Sequence, residues 1–175
     1  MKAIRHFRTI TKHKIKVMTL CFRIGLYKQG LLHDLSKYAP CEFLTGARYY
    51  QGTKSPNSVE REDKGYSLAW LHHKGRNKHH WEFWVDFTRQ GLLPARMPKR
   101  YVLEMFCDRV AASMTYQGKN YSDKFPLAYY KRGKHTYIMH PDSRALLEEL
   151  LYYLDDHGLD ATIDYINSRD DLKRD

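Results

Sequence analysis

Apolar residues return at helical spacing along most of this chain, and no stretch alternates in the way a half-buried strand does. Ile10, Val17, Leu20 and Ile24 fall on one face of a helix that begins near Lys2. Pro40 opens a helix "CEFLTGARYY" that ends near Gly52, and Pro98 opens "YVLEMFCDRVAASMTY". Pro141 opens a last long helix through Leu146, Leu147, Leu150, Leu151 and Leu154, stopped by Gly158, with a short helix from Asp160 to Asn167 after it. The fold class expected is all-α, as a single domain over 1–175. Its core spans 11–113, a basic loop 117–140, and C-terminal helices 141–168.

Other segments are less regular. "GTKSPNSVEREDKG" is polar and rich in Gly, Pro, Ser and Asn, which predicts a loop. A short helix is expected from Tyr66 to His73, broken by "KGRN" and resumed in "KHHWEFWVDFTRQG" with Trp81, Trp84 and Val85 on its apolar side. Gln117 to His140 is expected to be largely irregular, with at most a short helix near Leu127 to Lys131.

Composition narrows the function classes. An apolar fraction of 42% over 175 residues supports a folded core rather than a disordered chain. A net charge of +10 favours phosphate-bearing partners, either nucleic acid or phosphorylated small molecules. Cys21, Cys41 and Cys107 are odd in number and widely spaced, which predicts a reducing, cytoplasmic setting without a disulfide framework. The longest near-apolar stretch, "VMTLCF", is too short to span a bilayer, so no membrane partner is expected.

Two polar residues stand on apolar stripes. His13 lies three after Ile10 and four before Val17, and Asp108 shares a face with Tyr101, Met105, Ala112 and Thr115. A core histidine bonded to backbone would explain the first. An arginine partner would explain the second, although adjacent Arg109 points about 100° away on a helix. An unpaired buried carboxylate is costly, so Asp108 must meet a cation, a donor or a metal.

Histidines gather elsewhere too. "AWLHHKGRNKHHWE" holds His72, His73, His79 and His80, and the break at "KGRN" allows the two pairs to converge. Adjacent residues of a helix diverge, so at most one of each pair is expected to face a metal. His73 and His80 are preferred, with His79 close behind. In "LHDLSKYAP", His33, Asp34 and Lys37 can border one patch, where Asp34 could bridge two cations and Lys37 could hold a phosphate oxygen.

The order His13, His33–Asp34, His73, His79/His80, Asp108 resembles the HD superfamily of metal-dependent phosphohydrolases in its binuclear form. "HDLSK" is similar to the superfamily's HD-x-x-K variant. "GLLHDLSKYAPCEF", "AWLHHKGRNKHHWE" and "EMFCDRVAAS" resemble an HD-like bacterial and phage group. The resemblance covers roughly Thr11 to Ser113. It implies about five core helices around one or two divalent ions (Mn, Fe, Mg, Ni or Co). His13, His33, Asp34 and Asp108 would ligate one, and His73 with His79 or His80 the other. Lys37 would contact phosphate.

The expected activity is hydrolysis of a nucleotide or another small phosphorylated metabolite, with Asp34 and Lys37 as catalytic groups. Lys37, Arg76, Asn77, Lys131 and Arg132 are expected on the substrate side. Tyr121, Tyr129 and Tyr130 are candidates to stack on a base. Two other readings stay open: a di-iron oxygenase on the same ligand order, and a basic nucleic-acid-binding protein whose metal site is not catalytic.

Overall fold

The computed structural model describes residues 1–173 and is predominantly helical. Helix α1 (Lys2–Arg23) buries His6, Ile10, His13, Val17, Leu20 and Cys21 along one side, matching the stripe expected from spacing. It packs against α6 (Lys99–Gln117), α2 (Tyr27–Leu32) and α3 (Pro40–Tyr49). Helix α6 is central. Val102, Phe106 and Val110 are at most 1% exposed on its core side, whereas Asp108, Ala112 and Thr115 lie half-buried. Apolar residues of α1, α6, α7 (Lys124–Gly133) and α8 (Pro141–Ser168) share one hydrophobic core.

Helix α8 runs through Leu147, Leu150, Leu151 and Leu154, all fully buried, and changes direction at Gly158, whose backbone (φ 82°, ψ 173°) is non-helical. Only glycine adopts that conformation without strain, so the first helical run stops at Gly158 as expected and a second continues to Ser168. A short α9 (Asp170–Lys173) follows.

Three expectations need correction. The polar stretch after Gly52 is not a loop: Pro56 opens helix α4 (Pro56–Lys64). Its inward residue is Glu60, which accepts from Ser67 Oγ at 2.6 Å and pairs with Lys64 Nζ at 3.1 Å. A helix that buries a paired carboxylate instead of leucines shows no apolar stripe. The segment after α5 (Leu68–Lys74) is not helical either. His79 and His80 lie in a turn, Trp81–Trp84 form a 3-10 turn, and β1 (Val85–Thr88) pairs antiparallel with β2 (Gly91–Pro94). Asp86, Phe87, Leu92 and Leu93 are all exposed, so neither face of this hairpin is buried and no alternation marks it.

Finally, Gln117 to His140 is mostly ordered helix. It contains α7 flanked by 3-10 turns at Gly118–Asn120 and Lys134–Thr136. Leu127 and Tyr130 anchor α7 in the core, and Tyr130 Oη donates to Glu148 at 2.8 Å. Two apolar anchors in a basic, tyrosine-rich sequence leave too weak a period to read.

Candidate metal centre

His33 and Asp34 are adjacent, yet both side chains enter the same site. The backbone explains this. Helix α2 ends at Leu32, His33 is extended (φ −51°, ψ 126°) and Asp34 is left-handed (φ 54°, ψ 25°), opening a 3-10 turn over Leu35–Tyr38. Aspartate tolerates that region better than most residues. Lys14 of α1 secures the segment by donating to the carbonyls of Leu31 (2.7 Å) and His33 (2.9 Å).

The two oxygens of Asp34 face different partners. Oδ2 lies 3.3 Å from His33 Nε2 and 3.8 Å from His13 Nε2. Oδ1 lies 3.3 Å from His73 Nε2 and 3.5 Å from His79 Nε2. Asp108 Oδ1 completes the first group, 2.9 Å from His13 Nε2 and 3.6 Å from His33 Nε2. Two sets share Asp34: His13, His33, Asp34 and Asp108; and Asp34, His73, His79 and His80; a third group joins His33, His79 and Glu104. Within each, the potential ligand atoms lie within 4.8 Å of one another, and either set could hold a metal ion.

His79 and His80 both belong to the second set, which corrects the expectation of at most one per pair. They occupy a turn rather than a helix, so the divergence of helical neighbours does not apply. Their rings stand 4.1 Å apart. His72 is the pair member that turns away: its Nδ1 faces Glu42 Oε1 at 2.5 Å.

The buried polar atoms fit a cation. The Nε2 atoms of His13, His33, His79 and His80 and both oxygens of Asp34 are buried without an aligned hydrogen bond. Such atoms are rare in folded proteins unless ordered water, a ligand or an ion satisfies them. Lys37 Nζ approaches Asp34 Oδ2 to 2.5 Å as an ion pair, placing a positive charge at the edge of the cluster.

Charge in the cluster follows from these contacts. Burial pushes the Asp34 carboxyl up, but the charges of His33, Lys37 and His73 outweigh it and hold the group well below the usual range. For Asp108 burial is likewise overcome, here by the adjacent His13 and His33 rings. Burial lowers His33, yet the neighbouring Asp34, Asp108 and Glu104 carboxylates raise it well above its ordinary value. His13 and His80 are lowered, first by burial and then by Lys37 and by the neighbouring histidines respectively. Burial works against Lys37 as well, but Asp34 and Asp108 keep its ammonium protonated.

Two carboxylates carried no signal that sequence reading used. Glu104 Oε1 takes His33 Nδ1 at 2.8 Å and His79 Nδ1 at 3.1 Å. Glu42 Oε2 takes His73 Nδ1 at 2.9 Å. Glu104 stands four residues before Asp108, on the same side of α6, and that spacing was the available clue.

The residues expected on the substrate side separate. Lys37 stands at the cluster. Asn77 is buried and donates to His73 O and Ser36 Oγ, both at 2.8 Å, so it braces the end of α5 instead of facing a substrate. Arg76 is exposed, with Nη1 3.4 Å from His72 O. Lys131 lies over the Tyr152 ring and Arg132 over the Tyr129 ring, at 4.7 and 5.4 Å. Tyr130 is buried and Tyr121 is packed against the core, whereas Tyr129 is 61% exposed with Arg132 over its ring.

Fold and site together define a helical protein whose buried histidine–carboxylate clusters could hold metal ions. A family model described as Family of unknown function (DUF5662) matches residues 2–152, and the chain belongs to that family. No curated protein and no solved structure matches it.

Proposed function

We propose that the protein is a metal-dependent phosphohydrolase of the HD type, acting on a nucleotide or another small phosphorylated metabolite at a binuclear site. The observation that carries this reading is Asp34, whose two oxygens divide between two histidine sets. Divalent ions held there would supply phosphate-oxygen coordination and a water with a pKa near 7 (about nine units below bulk water).

The protein's own residues set the direction of approach. The side chains of His33, His73 and His79 are at most 1% exposed and form a closed floor. Asp108 and Lys37, at 19% and 27%, form the open side. A phosphate entering there meets the Lys37 ammonium, which can bind one of its oxygens and balance charge that grows on them during transfer.

Elemental analysis of protein purified without chelator tests the reading, followed by hydrolysis of a panel of nucleotides and other phosphomonoesters with Mn²⁺ or Co²⁺. Metal bound at the cluster and a hydrolysed phosphate support it. Two irons per chain with dioxygen consumption would replace it by the oxygenase. Absence of metal, with salt-sensitive oligonucleotide binding and no hydrolysis, would replace it by the nucleic-acid reading.

A further inference from the structure

Glu104 touches both halves of the cluster. A single oxygen, Oε1, lies 2.8 Å from His33 Nδ1 and 3.1 Å from His79 Nδ1. His33 belongs to the set on Asp34 Oδ2, and His79 to the set on Oδ1. The two rings stand 4.4 Å apart, inclined by 34°. All three residues are buried, with no solvent available to substitute for a missing partner.

We infer that Glu104 is a positioning residue that orients the histidines of both metal sets at once, so that the two ion sites form one coupled unit. An ionised carboxylate only accepts hydrogen bonds. Each Nδ1 that faces Oε1 therefore carries its hydrogen, so Nε2 is the nitrogen that faces an ion, and in His33 it gives up its proton when the ion binds. Those Nε2 atoms are the ones buried without an aligned partner. One oxygen holding two rings also fixes their spacing relative to each other. Displacing the carboxylate frees a ligand from each set together.

Glu42 supplies the contrast. Its oxygens take His72 Nδ1 and His73 Nδ1, and of these two only His73 belongs to a metal set. Glu42 therefore orients one site and Glu104 both. Coupling through Glu104 rests on the metal-binding role proposed above, and the test separates the two.

Metal-free protein is titrated calorimetrically with Mn²⁺. Wild type is expected to show two binding events. Glu104→Gln, which keeps volume and an acceptor oxygen, weakens both by roughly ten- to a hundred-fold, whereas Glu42→Gln weakens one. Loss of a single event in Glu104→Gln, or of neither, overturns the inference. A second readout needs no metal. With ¹⁵N-labelled histidine, the Nδ1–H protons of His33 and His79 are expected as solvent-protected downfield signals, and both vanish in Glu104→Leu while that of His73 persists. Signals indifferent to Glu104 would overturn the shared hydrogen bonding even if Mn²⁺ binds. Signals that depend on Glu104 in a wild type that takes up no Mn²⁺ would uphold the shared hydrogen bonding and overturn the coupling of ion sites along with the metal reading.

Discussion

His13 Nε2 of α1 and Asp108 Oδ1 of α6 stand 2.9 Å apart. His13 is buried on the inward side of α1 and Asp108 is half-buried on α6, and leaving either without a partner there would be costly. The packing of α1 on α6 brings the two together. Arg109, the nearest arginine in sequence to Asp108, points elsewhere, over the rings of Tyr130 and Tyr137.

Asp34→Asn tests the bridging carboxylate. Asparagine tolerates the left-handed backbone at this position, so the turn survives and only the charge is lost. Bound metal is expected to fall at both sets together. Metal-free stability should drop by roughly 1–3 kcal/mol, because Lys37 and the histidines lose their buried counter-charge. Metal per chain and a urea titration check this; unchanged stoichiometry would remove Asp34 as a bridge.

Metal addition should stabilise the fold. An ion at a hundred times its dissociation constant contributes about 2.7 kcal/mol per site. For a chain of this size that raises the Tm by about 5–10 °C. Thermal melts with and without Mn²⁺ should show the shift in wild type and its absence in Asp34→Asn.

Gly46 lets α1 and α3 approach. A Cβ there would lie 2.3 Å from His6 Nε2 and 2.6 Å from His6 Cε1. The His6 ring is buried against Phe43 and Tyr50 and has little room to move. Gly46→Ala gains about 0.5–1 kcal/mol of helix propensity but incurs about 1–3 kcal/mol of overpacking. A net loss of about 1–2 kcal/mol is expected. The loss should shrink in the His6→Ala background, a double-mutant cycle that would show no coupling if the contact were unimportant.

His6 also sets a pH window. Burial, with a contribution from Lys37, pushes its pKa down to about 4. As pH falls below the ordinary value near 6.5, the unfolded chain takes up a proton that the folded chain refuses until about 4. His6 therefore lowers stability progressively from about pH 6.5 to 4, by at most about 3 kcal/mol, and adds no further dependence below that. Urea midpoints at pH 7 and pH 5 should differ less in His6→Phe than in wild type.

Sequence alone determined the helical class and the long helices. Helices α1 and α6 and the part of α8 before Gly158 carry apolar residues at helical spacing with proline or glycine near their ends, and such local signals act over one or two turns. It also singled out His13, His33, Asp34, His73, His79, His80 and Asp108, because residues of that chemistry stand out on apolar faces or in a dense histidine run. Tertiary structure decided the rest. Helix α4 buries Glu60 against Ser67 and Lys64, a pairing no apolar pattern announces. His79 and His80 converge because their segment leaves the helix, and His33 and Asp34 converge because Asp34 turns left-handed. Glu104 acquires its two histidine partners only when α2, α6 and the turn after α5 meet. Ligand direction and hydrogen-bond partnership depend on distances between segments remote in sequence, and those distances exist only once the helices have packed.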